Sequence, residues 1–282
     1  MHSFSRLIKP SLLVIVLLCS VHTSYASDTT SIKRSFFQTI GDDVLIFGED
    51  LGAYVTAPLH YTATNWGQAA SILGTTTLLM GADPWGREQA QAASHSSGFQ
   101  SYMTASRQYG ELVIAGGLSG ATYLGGLCFN ERSLRLTGRE LIEGLAYAGV
   151  TTTILKIIIG RSRPFTGDGA YSFKPFQISD SRNSLPSGHT TVAFTVSSIL
   201  ARRINNPIAT VLLYSAATST AFSRMYHDKH WLSDTFLGAA IGTTAGFFVT
   251  GRDFERDNNT EPKSSSLEIT PYFGGIAAQY RF

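Results

Sequence analysis

Six apolar stretches rich in Ala, Gly, Thr and Leu divide this chain: Gln68 to Met80, Leu112 to Phe129, Leu141 to Ile159, Thr190 to Leu200, Pro207 to Phe222 and Leu232 to Val249. None sustains a two-residue alternation, so none presents one wet and one dry face as a strand would, and helices are the reading. Small residues recur inside them, as Gly116, Gly117, Gly120 and Gly125 in the second stretch and Gly238, Gly242 and Gly246 in the last. The four-residue spacing of the last set puts those glycines on one helix face and predicts close helix packing. The expected fold is all-α, a helical bundle of about six core helices.

The N-terminus reads as a signal peptide over residues 1–26. Arg6 and Lys9 precede the short apolar run Leu12 to Leu18, and Ser24-Tyr25-Ala26 supplies the small residues of a cleavage site before Ser27. Its removal leaves Cys128 as the sole cysteine, unable to pair internally and expected to pack as a small hydrophobe. Residues 27–50 form a polar lead-in with a short helix around Ile32 to Ile40, and a helical domain is expected over 51–251. A polar linker follows over 252–266, marked by Arg252, Asp253, Glu255, Arg256 and Asp257 and then Pro262. In the tail, 267–282, Tyr272, Gly274, Ile276, Ala278, Tyr280 and Phe282 fall on one face, the pattern of a short strand or hairpin. A charged fraction of 15% and a net charge of +2 give no general basic surface, which excludes nucleic acid as a partner. Leu112 to Phe129 is uncharged and nearly long enough to span a bilayer. Glu143 and Lys156 interrupt the third stretch, however, and Arg202-Arg203 end the fourth. A bundle that is periplasmic or seated at the membrane fits better than six spans.

Three clusters carry chemistry. Lys156 and Arg163 stand seven residues apart, which on one helix would point both cations the same way, with Pro164 marking the helix end. Alone, such a pair is an ordinary complement to a helix dipole. Pro186-Ser187-Gly188-His189 precedes an apolar helix; Ser187 suits an N-cap, and exposed N–H groups beside Gly188 would form an anion site with His189 next to it. Alone, it is a helix cap with a surface histidine. The third cluster runs from Ser223-Arg224 to His230 and Asp234. Four-residue spacing predicts Asp234 one helical turn from His230, where its carboxylate would fix the imidazole tautomer and free the other nitrogen as a nucleophile. His227, Asp228, His230 and Asp234 are also metal-ligand types, but Arg224, Lys229, Lys156 and Arg163 favour an anion in their midst.

Together and in this order, the clusters resemble the signature of the type 2 phosphatidic acid phosphatase superfamily, which includes bacterial non-specific acid phosphatases and vanadium haloperoxidases. Its elements K-x6-R-P, P-S-G-H and S-R-x5-H-x3-D occur without substitution at Lys156 to Pro164, Pro186 to His189 and Ser223 to Asp234. The resemblance covers roughly Glu140 to Gly251. It implies a helical bundle with active-site loops at one end and no metal or cofactor. His230 would be the nucleophile that forms a phosphohistidine, Asp234 its orienting carboxylate, and His189 the general acid. Lys156, Arg163, Arg224, Ser187 and Gly188 would hold the phosphate. Phe165 to Leu185, with Tyr171, Phe173, Lys174, Pro175 and Phe176, would overhang the pocket.

The activity this implies is a metal-independent phosphatase in the bacterial cell envelope, acting on a phosphomonoester or pyrophosphate that is lipid-linked. The expected partners are a phosphorylated lipid or small phosphoester and the membrane. Alternatives are a broad-specificity periplasmic acid phosphatase, a vanadate-dependent haloperoxidase, for whose extra scaffold the chain lacks room, and an envelope structural protein using its tail strand.

Overall fold

The computed structural model describes residues 36–260, 266–272 and 275–281; the signal-peptide expectation for residues 1–26 lies outside them. The described residues form nine α-helices: α1 (Phe36–Thr56), α2 (Ala63–Gly81), α3 (Asp83–Gln91), α4 (Ser97–Tyr109), α5 (Leu112–Cys128), α6 (Arg132–Ile159), α7 (Gly188–Ile204), α8 (Pro207–Tyr226) and α9 (Leu232–Thr260). Each apolar stretch lies within one of them except for its last residue in the second, Phe129, which caps α5. Local chemistry sets several starts. Thr62 and Asn65 form a reciprocal capping box on α2, Ser96 caps α4, and Asn206 caps α8 ahead of Pro207. Strands β1 (Ser266–Tyr272) and β2 (Gly275–Arg281) pair antiparallel, the hairpin anticipated from the tail.

Glycine sets how closely the central helices approach. A Cβ on Gly238 would lie 2.6 Å from the Ser187 carbonyl oxygen, and one on Gly242 would lie 2.4 Å from that of Thr191. The stripe therefore packs the backbone of α9 against α7, as its spacing predicted. The glycines picked out in α5 behave differently: Gly116, Gly117, Gly120 and Gly125 face open space, and the close contact falls on Gly126, against the backbone of Arg135. Around these contacts, Leu141 and Leu145 of α6, Val192, Val196, Ile199 and Leu200 of α7, Leu213 of α8 and Val249 of α9 form the core.

The charged run read as a linker is corrected over residues 252–260, where α9 continues to Thr260. Three of its charges, Arg252, Asp253 and Arg256, have buried partners rather than water. Arg252 and Arg256 pair with Asp50 of α1, and Asp253 pairs with Arg139 and Arg203. The same network takes α1 across the expected boundary at residue 50, with Asp43 held by Arg135 and Arg139. Charge runs look alike in sequence whether water or other side chains surround them. Cys128, expected to be packed, is exposed at the end of α5.

Helices α6 and α9 each contain a stretch long and apolar enough to cross a membrane, and α4 with α5, bent by 51°, supply a third if taken as one broken span. The bundle carries apolar side chains outward, among them Val113, Val150, Ile154 and Val211. It is a membrane-associated architecture. The α6–α7 connection, the start of α9 and the end of α8 bring all three sequence clusters to one end of the bundle, and the ion network of Asp43, Asp50 and Asp253 occupies the other.

Candidate active site

Lys156 lies in the last turn of α6, but Arg163 is not on that helix. The helix stops at Ile159 because Gly160 turns left-handed (φ 61°), and a Cβ there would stand 1.8 Å from the Lys174 carbonyl oxygen. Glycine ends the helix before proline can, so the shared helix face expected for the two cations is replaced by a turn. Arg163 is extended (φ −77°, ψ 153°), as a residue before proline should be. The two still converge. Lys156 Nζ donates to the Asn183 carbonyl at 2.5 Å, and Arg163 pairs with the exposed Asp180 at 2.8 Å.

Ser187 is the N-cap residue of α7, without a side-chain cap bond; its hydroxyl accepts from Thr190 instead, at 2.9 Å. Its N–H donates to the Asp234 carbonyl at 2.9 Å, which ties the start of α7 to the start of α9. A Cβ on Gly188 would lie 3.9 Å from Lys156 Cε, so the open helix end and the lysine stem adjoin. Backbone N–H groups and a cation thus face the same space.

His230 precedes α9 rather than lying on it, and it is only 3% exposed. Its Nδ1 is 2.8 Å from the Ser184 carbonyl oxygen. A carbonyl only accepts, so Nδ1 carries the proton and Nε2 keeps its lone pair. Asp234 Oδ2 stands 3.7 Å from the same Nδ1, at ion-pair rather than hydrogen-bond distance. The helical turn expected between them is absent because α9 begins at Leu232. Asp234 instead accepts the Trp231 N–H at 2.8 Å, reaching back across the first turn, and the Ser184 hydroxyl at 2.5 Å. Asp234 and the ring are therefore held by the same residue, Ser184.

Beneath Asp234 lies a second layer that the sequence reading missed. Arg161, fully buried, donates through Nη1 to Asp234 Oδ1 and Ser233 Oγ, each at 2.7 Å. Through Nη2 it meets Asp83 Oδ2 at 2.5 Å and the Ala170 carbonyl at 2.7 Å. Asp83 in turn accepts the Ser233 N–H at 2.8 Å. Arg161 sits in plain view inside the first motif, yet only its two carboxylates, far apart in sequence, mark it as different from a surface arginine.

His189 Nε2 lies 3.2 Å from Glu111 Oε2, another partner outside the motifs. Burial and the nearby Arg224 push the His189 pKa down to about 4, with Glu111 opposing. Burial, with Arg163 and Arg107, lowers Arg224 to about 10, and burial lowers Arg163 against the pull of Asp180. For His230, burial and then Lys156, Arg163 and Arg224 hold the imidazole well below the ordinary histidine value, so it is neutral. The Nε atoms of Arg163 and Arg224 are buried without a hydrogen-bond partner among the described residues. Buried cations that suppress one another's protonation and keep unused donors are a setting that an anion would relieve.

Of the residues in the competing metal set, Asp228 turns away to pair with Arg87 at 2.7 Å. Among the described residues, no three His, Cys, Asp or Glu side chains gather as ligands. Lys229 lies over the Phe165 ring, 4.3 Å from its centroid. In the connection between the first two motifs, Tyr171, Phe173, Phe176 and Ile178 are exposed.

The sequence profile described as the PAP2 superfamily matches residues 138–257. A lipid A 1-phosphatase of Porphyromonas gingivalis is 26% identical over 240 residues, which is 83% of this chain and 48% of that protein. A lipid A 1-phosphatase of Rhizobium etli is 32% identical over 108 residues, 37% of this chain and 45% of the relative. The chain thus spans about half the length of these curated relatives. The crystal structure of a transmembrane PAP2 type phosphatidylglycerolphosphate phosphatase from Bacillus subtilis superposes with a TM-score of 0.54 at 20% identity, covering 66% of this chain and 96% of that one. That likeness is one of fold.

Proposed function

Residues 138–257 of this chain belong to the PAP2 superfamily, and from that premise we propose that it is a phosphatase of the bacterial cell envelope that hydrolyses a lipid-linked phosphomonoester or pyrophosphate through a phosphohistidine at His230. The observation that carries this reading is the set of Lys156, Arg163 and Arg224 gathered around a neutral His230, with the exposed Asp180 the one carboxylate paired to any of them among the described residues. In the first step, His230 Nε2 attacks phosphorus. The bond to the leaving oxygen breaks, and His189 supplies that oxygen with its proton. Water then attacks the phosphohistidine, His189 takes a proton from it, and the P–N bond breaks to release phosphate. Lys156, Arg163 and Arg224, with the N–H groups at the start of α7, stabilise the charge of both transition states. Asp234, held by Arg161 and Ser184, favours the proton on Nδ1 throughout.

The lipid part of the reading is supported by an apolar groove of about 550 Å³ between α5 and α6, lined by Leu112, Gly116, Ile142, Leu145, Gly149 and Ile154 among others. On α6, Ile142, Leu145, Gly149 and Thr153 follow one another at three- and four-residue steps, and the next step is Lys156. An acyl chain lying along this stripe would reach the phosphate site. The exposed aromatic side chains of the 165–185 connection suit a membrane interface. Because two relatives are lipid A 1-phosphatases, a glycolipid 1-phosphate is the first substrate to try, with phosphatidylglycerolphosphate second.

The test is to quench the purified protein during turnover of each lipid with ³²P in its phosphate and to map the label. Acid-labile, base-stable label on the peptide bearing His230, lost in His230→Ala, is expected. Turnover without such label would refute the mechanism, and equal kcat/KM on small water-soluble phosphomonoesters would refute the lipid reading.

A further inference from the structure

We propose that Glu111 is a positioning residue for His189, aiming its ring and favouring the protonated form that the leaving oxygen requires; the proposal rests on the phosphatase reading above. Three features of the structure converge on it. The Glu111 carboxylate lies 3.2 Å from His189 Nε2, so Nδ1 is the nitrogen left to face the substrate. The chain is shaped to bring it there: between α4 and α5 the helical path bends by 51°, and Glu111 follows directly after Gly110. A Cβ on Gly110 would stand 2.3 Å from the His189 carbonyl oxygen and 2.7 Å from Thr220 Cγ2. Glycine is required at the bend by lack of space, and the space is taken by the backbone of His189 itself.

The charges around His189 supply the reason for a carboxylate. Arg224 and Arg107 both oppose a proton on the ring, as burial does, and Glu111 favours it. A histidine in that setting without Glu111 would stay neutral and could not act as an acid. A bound phosphate offsets Arg224, and Glu111 then tips the balance towards the imidazolium. Glu111 touches no reacting atom in this scheme. Its effect passes through His189.

The experiment uses the full chain in detergent and two substrates: a long-chain alkyl phosphate, whose poor leaving group needs an acid, and a nitrophenyl phosphate carrying the same chain, which does not. Glu111→Gln is expected to lower kcat/KM for the alkyl ester about 10-fold, with the aryl ester nearly unchanged. For the alkyl ester, the alkaline limb of kcat, which reports the enzyme–substrate complex, should move to lower pH by about one unit, because loss of the carboxylate lowers the His189 pKa. Glu111→Asp should restore part of the activity, and His189→Asn should show the same substrate split more strongly. Equal loss on both esters, or an unmoved alkaline limb, overturns the role of Glu111. If His189→Asn shows the split and Glu111→Gln does not, Glu111 alone is ruled out. If the wild-type chain hydrolyses neither ester, the phosphatase reading fails and this proposal with it.

Discussion

Replacing Gly149 with leucine should shorten the lipid that the protein prefers without disturbing its chemistry. Gly149 lines the middle of the groove, and a Cβ there meets nothing within 4 Å. The substitution therefore projects into the groove rather than into the protein, and exchanging glycine for leucine inside a helix adds stability, up to about 1 kcal/mol. The groove follows α6 from Ile142 to Ile154, a rise of roughly 18 Å at 1.5 Å per residue. A leucine halfway along blocks the part farther from Lys156. If it denies burial to about four methylenes, at about 0.8 kcal/mol each, the loss is ~3 kcal/mol, or roughly 100-fold in kcat/KM. The assay is kcat/KM across a homologous series of alkyl phosphates. For the wild type it should climb with chain length and level off; for Gly149→Leu it should level off several carbons earlier, with the shortest members unchanged. Two parallel curves would show that the chain lies elsewhere and would refute the assignment of the groove.

Arg161→Met leaves Asp83 and Asp234 buried without their shared cation, so it should cost about 3–5 kcal/mol, read as a fall in Tm, and should reduce turnover in whatever fraction remains folded; unchanged Tm and turnover would mean that the layer beneath Asp234 is dispensable. On the proposed mechanism, Arg224→Gln removes a contact to the transferring phosphoryl group and should lower kcat roughly 100-fold. It also removes a charge that suppresses protonation of His230. The His230 pKa then rises, and because the nucleophile is neutral only above that pKa, the acid limb of kcat/KM should move to higher pH; a shift in the opposite direction would contradict the electrostatics.

The residues expected to meet phosphate were legible because they lie on short segments at fixed spacings: Lys156 to Pro164, Pro186 to His189 and Ser223 to Asp234. The fold was legible to a similar degree, since a stripe such as Gly238, Gly242 and Gly246 states its own packing. The geometry within the motifs was less so. Lys156 and Arg163 share a motif but not a helix, because Gly160 satisfies a close approach to Lys174 that spacing alone does not register. His230 and Asp234 are four residues apart but not one turn apart, because α9 starts between them. The supporting residues were not legible at all. Asp83, Glu111 and Ser184 meet Arg161, His189 and Asp234 across 78, 78 and 50 residues respectively, and nothing local distinguishes them from other polar residues.

The two ends of the bundle give a physical criterion for telling a site from a scaffold. At the end away from His230, Asp43, Asp50, Glu140, Glu143 and Asp253 meet Arg135, Arg139, Arg203, Arg252 and Arg256 in equal number, through a continuous set of ion pairs. Each buried charge there has an ion-pair partner of opposite sign within the protein, and such a network is weak evidence of net stabilisation. At the other end Arg161 is likewise matched, by Asp83 and Asp234. Directly above it the matching stops: Lys156 and Arg224 have no carboxylate in ion-pair contact among the described residues, and Arg163 has only Asp180, which is 72% exposed. Burying these cations costs free energy that the Asn183 carbonyl and Asp180 offset only in part. A scaffold would shed such a cost by substitution, whereas the proposed phosphate site requires it, because there the missing charge would be the substrate's.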